Sequence, residues 1–193
     1  MRTAVLTVGS TEYTPLVFAV LEPTVLASLA QLGVSTLTAQ VGNSALPSGW
    51  EVGSRTVQGG LQVDIVRFTG NIEDEVGRAS VVVSHAGAGS ILSFLRPLAL
   101  SDASPASDST PAHRRQLILV PNSTLMDSHQ SDLADEMEKK GWATVCERPK
   151  LLPSVFEQLI KQAELEDDLP APAYPTLDTG KVQRILDETL GFA

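Results

Sequence analysis

Ser80-Val81-Val82-Val83-Ser84 constrains this chain more than any other stretch. Three consecutive β-branched residues place apolar side chains on both sides of an extended strand, which must then be covered from above and below. Such a strand belongs in the middle of a layered α/β sheet. Ala4 to Val8 and Gln116 to Val120 are further buried runs. Ser35 to Val41 is a strand ended by Gly42-Asn43-Ser44, and in Leu61 to Phe68 the apolar Leu61, Val63 and Ile65 alternate with Gln62 and Asp64. Weaker strand character covers Glu51 to Val57 and Trp142 to Cys146.

Helical spacing fills the intervals. Leu16 to Leu21 and Pro23 to Leu32 read as two helices, because proline interrupts a helix but suits its first turn, and Gly33 suits its end. Asn71 can cap a helix over Ile72 to Ala79, with Glu73, Asp74 and Glu75 near its positive end. Further helices are expected at Ser90–Arg96, Asp127–Lys140 and Pro153–Glu164. Strands alternating with helices imply parallel pairing, right-handed crossovers and a Rossmann-like sheet with helices on both faces. Residues 1–165 form this domain, with a polar loop inserted at 97–115. An acidic, proline-rich linker (166–176, EDDLPAPAYPT) leads to residues 177–193. There Val182, Ile185, Leu186 and Leu190 stripe an amphipathic helix, a candidate partner contact.

Charge and cysteine usage exclude several functions. With 14 Lys+Arg against 23 Asp+Glu the net charge is −9, the wrong sign for a general nucleic-acid binder. Cys146 is the sole cysteine, so no internal disulfide and no cysteine zinc site can form. His85, His113 and His129 show no metal spacing. The apolar run near Met1 stops at Gly9-Ser10-Thr11-Glu12, and no later stretch reaches about 18 apolar residues. A soluble protein of a reducing compartment is expected.

Parallel α/β sheets bind ligands at the carboxyl ends of their strands, so chemistry is expected in loops 9–14, 40–44, 68–71, 84–90 and 121–130. The sharpest is Ser84-His85-Ala86-Gly87-Ala88-Gly89-Ser90. Its glycines permit close backbone approach, and the helix that follows offers unpaired amides and a partial positive charge. Ser90 adds a hydroxyl, and His85 a donor that can become a cation. The set suits a diphosphate; a tight turn whose serine merely caps is the plain alternative. Dinucleotide binding is disfavoured, because Leu92 replaces the third glycine of Gly-x-Gly-x-x-Gly and Asp108 falls in the polar loop. Neither an ATPase phosphate loop nor a Gly-x-Ser-x-Gly elbow occurs.

The segment from Asn122 to Gln130 gathers hydroxyls, an amide, Asp127 and His129, a set able to hydrogen-bond sugar hydroxyls. Asp127 with Gln130 equally fits a capping box. Gly9, Ser10 and Thr11 can add amides and hydroxyls for a phosphate, or form an ordinary turn. Arg114 and Arg115 read as loop charges.

These two motifs together resemble a known family. From about residue 3 to 164 the chain is similar to the small cytosolic, UDP-GlcNAc-binding subunit of the two-part transferase that adds the second GlcNAc to dolichol-diphosphate-GlcNAc in N-glycan assembly. More distantly it resembles the donor half of the bacterial peptidoglycan GlcNAc transferase. The resemblance implies the C-terminal, donor-binding half of an inverting GT-B glycosyltransferase with no metal or other cofactor. A membrane-anchored partner subunit would hold the lipid acceptor at the cytosolic face of the endoplasmic reticulum. It implies diphosphate contacts from Gly9, Ser10, Thr11, His85, Gly87, Ala88, Gly89 and Ser90. Uridine contacts would come from Phe68, Thr69 and Ser93, and sugar contacts from Asn122, Asp127, His129 and Gln130. Ser93 stands where related sequences carry an acidic residue proposed for the ribose, and the 97–115 loop exceeds the family's short turn. No residue here is a convincing general base, which the partner is expected to supply. The alternative is a non-catalytic interaction or regulatory domain that kept the fold and lost the donor site.

Overall fold

The computed structural model describes residues 1–95, 115–122 and 129–165. The apolar runs become strands β1 (Arg2–Thr7), β2 (Val34–Gln40), β4 (Gln62–Val66), β5 (Val81–Ser84), β6 (Gln116–Leu119) and a short β7 (Thr144–Val145). A further strand, β3 (Gly53–Thr56), precedes β4. The helices are α1 (Thr14–Val20), α2 (Pro23–Gln31), α3 (Ile72–Arg78), α4 (Ala88–Leu95), α5 (His129–Lys139) and α6 (Leu152–Leu165). Pro23 opens α2 as expected, and Gly33, at φ 78°, follows the helix end and donates its amide to Ala30 O at 2.9 Å. The inserted loop up to residue 114, Asp127, the linker and the terminal helix lie outside the described residues.

One seven-stranded sheet runs β3-β4-β2-β1-β5-β6-β7. Every pairing is parallel except β3 with β4. Thr7 lies level with Gln40 on one side and Ser84 on the other, and Ser84 lies level with Leu119. The register therefore brings the loops that follow β1, β2, β5 and β6 to one edge.

Alternation along the strands splits the interior into two layers. Ala4, Leu6, Leu37, Val63, Val81 and Val83 meet α1, α2 and α6 on one face, with Phe156 fully buried among them. Val5, Val82, Leu117 and Leu119 meet α3, α4 and α5 on the other, where Phe94 is fully buried. Both faces carry helices, the expected arrangement.

Three local expectations need correction. The weak strand near residues 51–57 is an antiparallel edge, hairpinned to β4 through Val57 N to Leu61 O at 2.9 Å. Among the described residues no helix connects β2 to β4, and no residue of β2, β3 or β4 joins the second layer. Thr36, Thr38 and Asp64 stay partly exposed there. Asn71 occupies the N-cap of α3 without a side-chain capping bond. Its carbonyl accepts from Glu75 N, and its amide donates to Thr69 Oγ1 at 3.2 Å. Arg115 is a staple rather than a loop charge. Its guanidinium donates to Ala79 O, Phe94 O and Val76 O at 2.8–3.0 Å and lies 4.1 Å from the Phe94 ring centre.

Candidate functional site

Thr7 ends β1 with a buried hydroxyl that donates to Gln40 Oε1 at 2.7 Å and accepts from Gly9 N at 3.1 Å. Gln40 Nε2 donates in turn to Gly9 O and Arg67 O. Two buried polar side chains thus satisfy each other and fix the Gly9 turn, whose φ of 60° suits glycine. Arg67 extends the clamp by donating to Gly42 O and Ser44 O. Neither Thr7 nor Gln40 is among the candidate site residues of the sequence, although Gln40 opens the expected loop 40–44. The available signal is a polar residue at the last position of each strand.

Next to this turn, β5 leads into α4. Ala86 sits at φ 65° and is buried, a left-handed conformation that costs an alanine about 1–2 kcal/mol. Gly87 precedes the helix and its carbonyl accepts from Ile91 N, so the amides that open α4 have no partners within the helix. His85 lies between the two glycine turns, 6% exposed. A Cβ on Gly87 would stand 2.5 Å from its Nε2, and one on Gly9 2.8 Å from its Cε1. His85 Nδ1 is 3.3 Å from Thr7 O, which can only accept, so Nδ1 carries the hydrogen and a neutral Nε2 is an acceptor. Burial pushes the imidazole below its usual titration range, against a smaller opposing effect of the Thr7 carbonyl.

These loops open on a cavity of about 250 Å³. Of the residues expected at a diphosphate, Gly9, Ser10, His85, Gly87, Gly89 and Ser90 line it together, and Ala88, the first residue of α4, lies between Gly87 and Gly89. Thr11 is outside the wall, its hydroxyl donating to Val8 O at 2.7 Å. Ser93 lines the cavity, but its hydroxyl donates to Gly89 O at 2.9 Å. Phe68 and Thr69 lie on the loop between β4 and α3, with Phe68 58% exposed. Ile72, Glu73 and Val76 of α3 complete the wall, a contribution the sequence reading had not assigned.

Asn122 is buried and joins the first loop to the end of β6. Its amide nitrogen donates to Gln130 Oε1, and its Nδ2 approaches Glu12 O at 3.4 Å. Tyr13 makes the same connection, its hydroxyl donating to Pro121 O at 3.0 Å. Burial, helped by nearby Cys146, pushes the Tyr13 phenol up to about 12. The side chain of His129 lies outside the described residues. Among the described residues no cluster of His, Cys, Asp and Glu could hold a metal ion, and no single helix is long and apolar enough to cross a membrane.

A larger cavity of about 780 Å³ lies between α1, α2 and the hairpin, lined by Phe18, Leu26, Pro47, Trp50 and Val57 among others. It is mainly apolar and contains no glycine turn at a helix start. Of these two cavities the smaller is lined by glycine turns, hydroxyls and an imidazole, and it is the better equipped for a polyanion.

Comparison with known proteins gives a consistent picture. Residues 3–97 match the glycosyltransferase family 28 C-terminal domain. The chain is 37% identical to the UDP-N-acetylglucosamine transferase subunit ALG13 of Cryptococcus neoformans, with 74% of this chain and 76% of that protein covered. Its fold is similar to the NMR solution structure of ALG13, at TM-score 0.58 and 23% identity, covering 97% of this chain and 96% of that one. It is also similar to the crystal structure of Acinetobacter baumannii MurG, at TM-score 0.53 and 16% identity. There it covers 96% of this chain but 49% of MurG, a half-molecule match.

Proposed function

The chain belongs to the UDP-N-acetylglucosamine transferase subunit family represented by ALG13, and from that membership we propose that it holds the donor for a GlcNAc transfer completed by a partner. The donor is UDP-GlcNAc and the acceptor dolichol-diphosphate-GlcNAc. The partner is a membrane-anchored subunit presenting that lipid at the cytosolic face of the endoplasmic reticulum. Family membership favours this reading over a non-catalytic interaction domain.

The observation that carries it is the cavity shared by Gly9, His85, Gly87, Gly89 and Ser90 at the start of α4. In the transfer, the acceptor hydroxyl attacks the anomeric carbon with inversion. The bond from that carbon to the diphosphate breaks, and UDP leaves with the electron pair. The growing negative charge is answered by fixed amides and the positive end of the helix, which need no rearrangement as it develops. No metal or other cofactor is called for. Phe68 and Thr69 are assigned to the uracil end. Asn122 and Gln130, with Asp127 and His129, are assigned to the sugar. His85 is enclosed beneath the glycine loops with its Nε2 against Gly87 and is assigned to the diphosphate rather than the acceptor, so the acceptor's proton goes to a base on the partner.

Reconstitution tests the division of labour. The full chain with its membrane subunit should transfer GlcNAc from UDP-GlcNAc to the lipid acceptor, and the chain alone should be inactive or nearly so. Efficient transfer by the chain alone would refute the split site.

A further inference from the structure

Building on the donor-site reading above, we infer that Glu73 of α3 is the carboxylate that receives the ribose hydroxyls of the nucleoside diphosphate. A ribose diol presents two adjacent O–H donors, best met by the paired oxygens of an ionised carboxylate. Ser93 is poorly equipped for that task. It has one oxygen, and its proton is already given to Gly89 O at 2.9 Å. Glu73 lines the same cavity as Ser93 and supplies the sole carboxylate that the described residues place in its wall.

Position along the ligand supports the assignment. Glu73 enters the cavity from the helix that directly follows Phe68 and Thr69, whereas Gly89 and Ser90 enter from α4 and Gly87 from the turn just before it. A carboxylate among the phosphoryl oxygens would be repelled, so its place is toward the base end, where the ribose sits between uracil and diphosphate. Ile72 and Val76, both in the cavity wall, flank it on the same side of α3 and give the sugar ring an apolar edge. The Glu73 side chain is exposed in the first turn of α3, so removing its charge gives up only a weak interaction with the helix start and leaves the fold intact.

Titration of the full chain with UDP and with 2′-deoxy-UDP, followed by NMR, tests the assignment. The wild-type chain should bind UDP about tenfold or more tightly than the deoxy analogue, the size of one hydrogen bond to a charged group. Glu73→Gln should reduce that ratio to about twofold or less with little change in Tm. Combining Glu73→Ala with Ser93→Glu should restore it, by returning a carboxylate to the opposite wall. A wild-type ratio retained in Glu73→Gln, or absent from the wild type that binds both nucleotides, would overturn the ribose assignment alone. A wild-type chain that binds neither nucleotide would overturn the donor-site reading and this inference with it.

Discussion

Gly87 and His85 fit together so closely that a single added methyl at position 87 would lie 2.5 Å from the imidazole Nε2. The ring cannot give way, because it is buried and its Nδ1 faces Thr7 O. Gly87→Ala should therefore cost about 1–3 kcal/mol of stability by overpacking, and lower UDP affinity by about tenfold or more. Gly89 separates the two effects, since a Cβ there meets nothing within 4 Å. Gly89→Ala should leave stability unchanged or raise it by up to about 1 kcal/mol, as expected for replacing a helical glycine. It should still weaken UDP binding, because the methyl would occupy space the diphosphate needs. Urea unfolding and UDP titration on both variants distinguish a packing glycine from a ligand-approach glycine.

Arg115 joins three carbonyls from the ends of α3 and α4 while stacking on Phe94. Its planar fork suits several acceptors at once, and a cation is favourable where helix carbonyls end. Arg115→Ala should destabilise the chain by about 2–4 kcal/mol, since it removes one shared charged donor from the carbonyls of Val76, Ala79 and Phe94. Arg115→Lys should recover little of this, because an ammonium cannot reproduce the fork. Nucleotide affinity measured well below Tm should change little in either variant.

The contrast between Arg115 and Val82 shows what could be read from the sequence. Val81 to Val83 announces a central strand because a parallel strand must be apolar on both faces, and the same logic located β1, β6 and their helices. The Ser84–Ser90 segment is legible as a glycine-containing turn from a buried strand into a helix, and the structure places His85, Gly87, Gly89 and Ser90 of it in one cavity wall. Arg115 looked like a loop charge because nothing in a linear sequence reveals three carbonyls gathered from distant helix ends. β3 was faint because Gly53-Ser54-Arg55-Thr56 is exposed and carries no apolar face. It is held by pairing with β4 rather than by burial. Glu73 reads in the sequence as an ordinary acid at a helix start, and only the closeness of α3 and α4 puts it in the wall of the cavity.

Tyr13 ties the first loop to the end of β6 through its bond to Pro121 O. Tyr13→Phe should cost about 1–2 kcal/mol by leaving that buried carbonyl unpaired. The phenol ionises near 10 in the unfolded chain and about 12 in the folded one, so its contribution is fully present below pH 10 and lost between 10 and 12. Spectrophotometric titration should show a late phase near pH 12 that Tyr13→Phe removes.

His85 carries the pH dependence closest to the proposed chemistry. Burial lowers its folded pKa below the ordinary 6.5, so the unfolded chain takes up a proton first as pH falls. Below about pH 6.5 the folded state should lose stability, at a limiting slope of about 1.4 kcal/mol per pH unit, until the folded imidazole also protonates. Above that pH the residue contributes no slope. His85→Gln should remove this component, and the difference between the two unfolding curves isolates it from the other acids. A diphosphate in the cavity should reverse the preference: with Nδ1–H toward Thr7 O, Nε2 must gain a proton before it can donate to a phosphoryl oxygen. UDP affinity should therefore rise as pH falls from 7.5 toward 6 in the wild type and stay flatter in His85→Gln. Calorimetry in buffers of different ionisation heat should show proton uptake on UDP binding, and its absence would remove His85 from the diphosphate contacts.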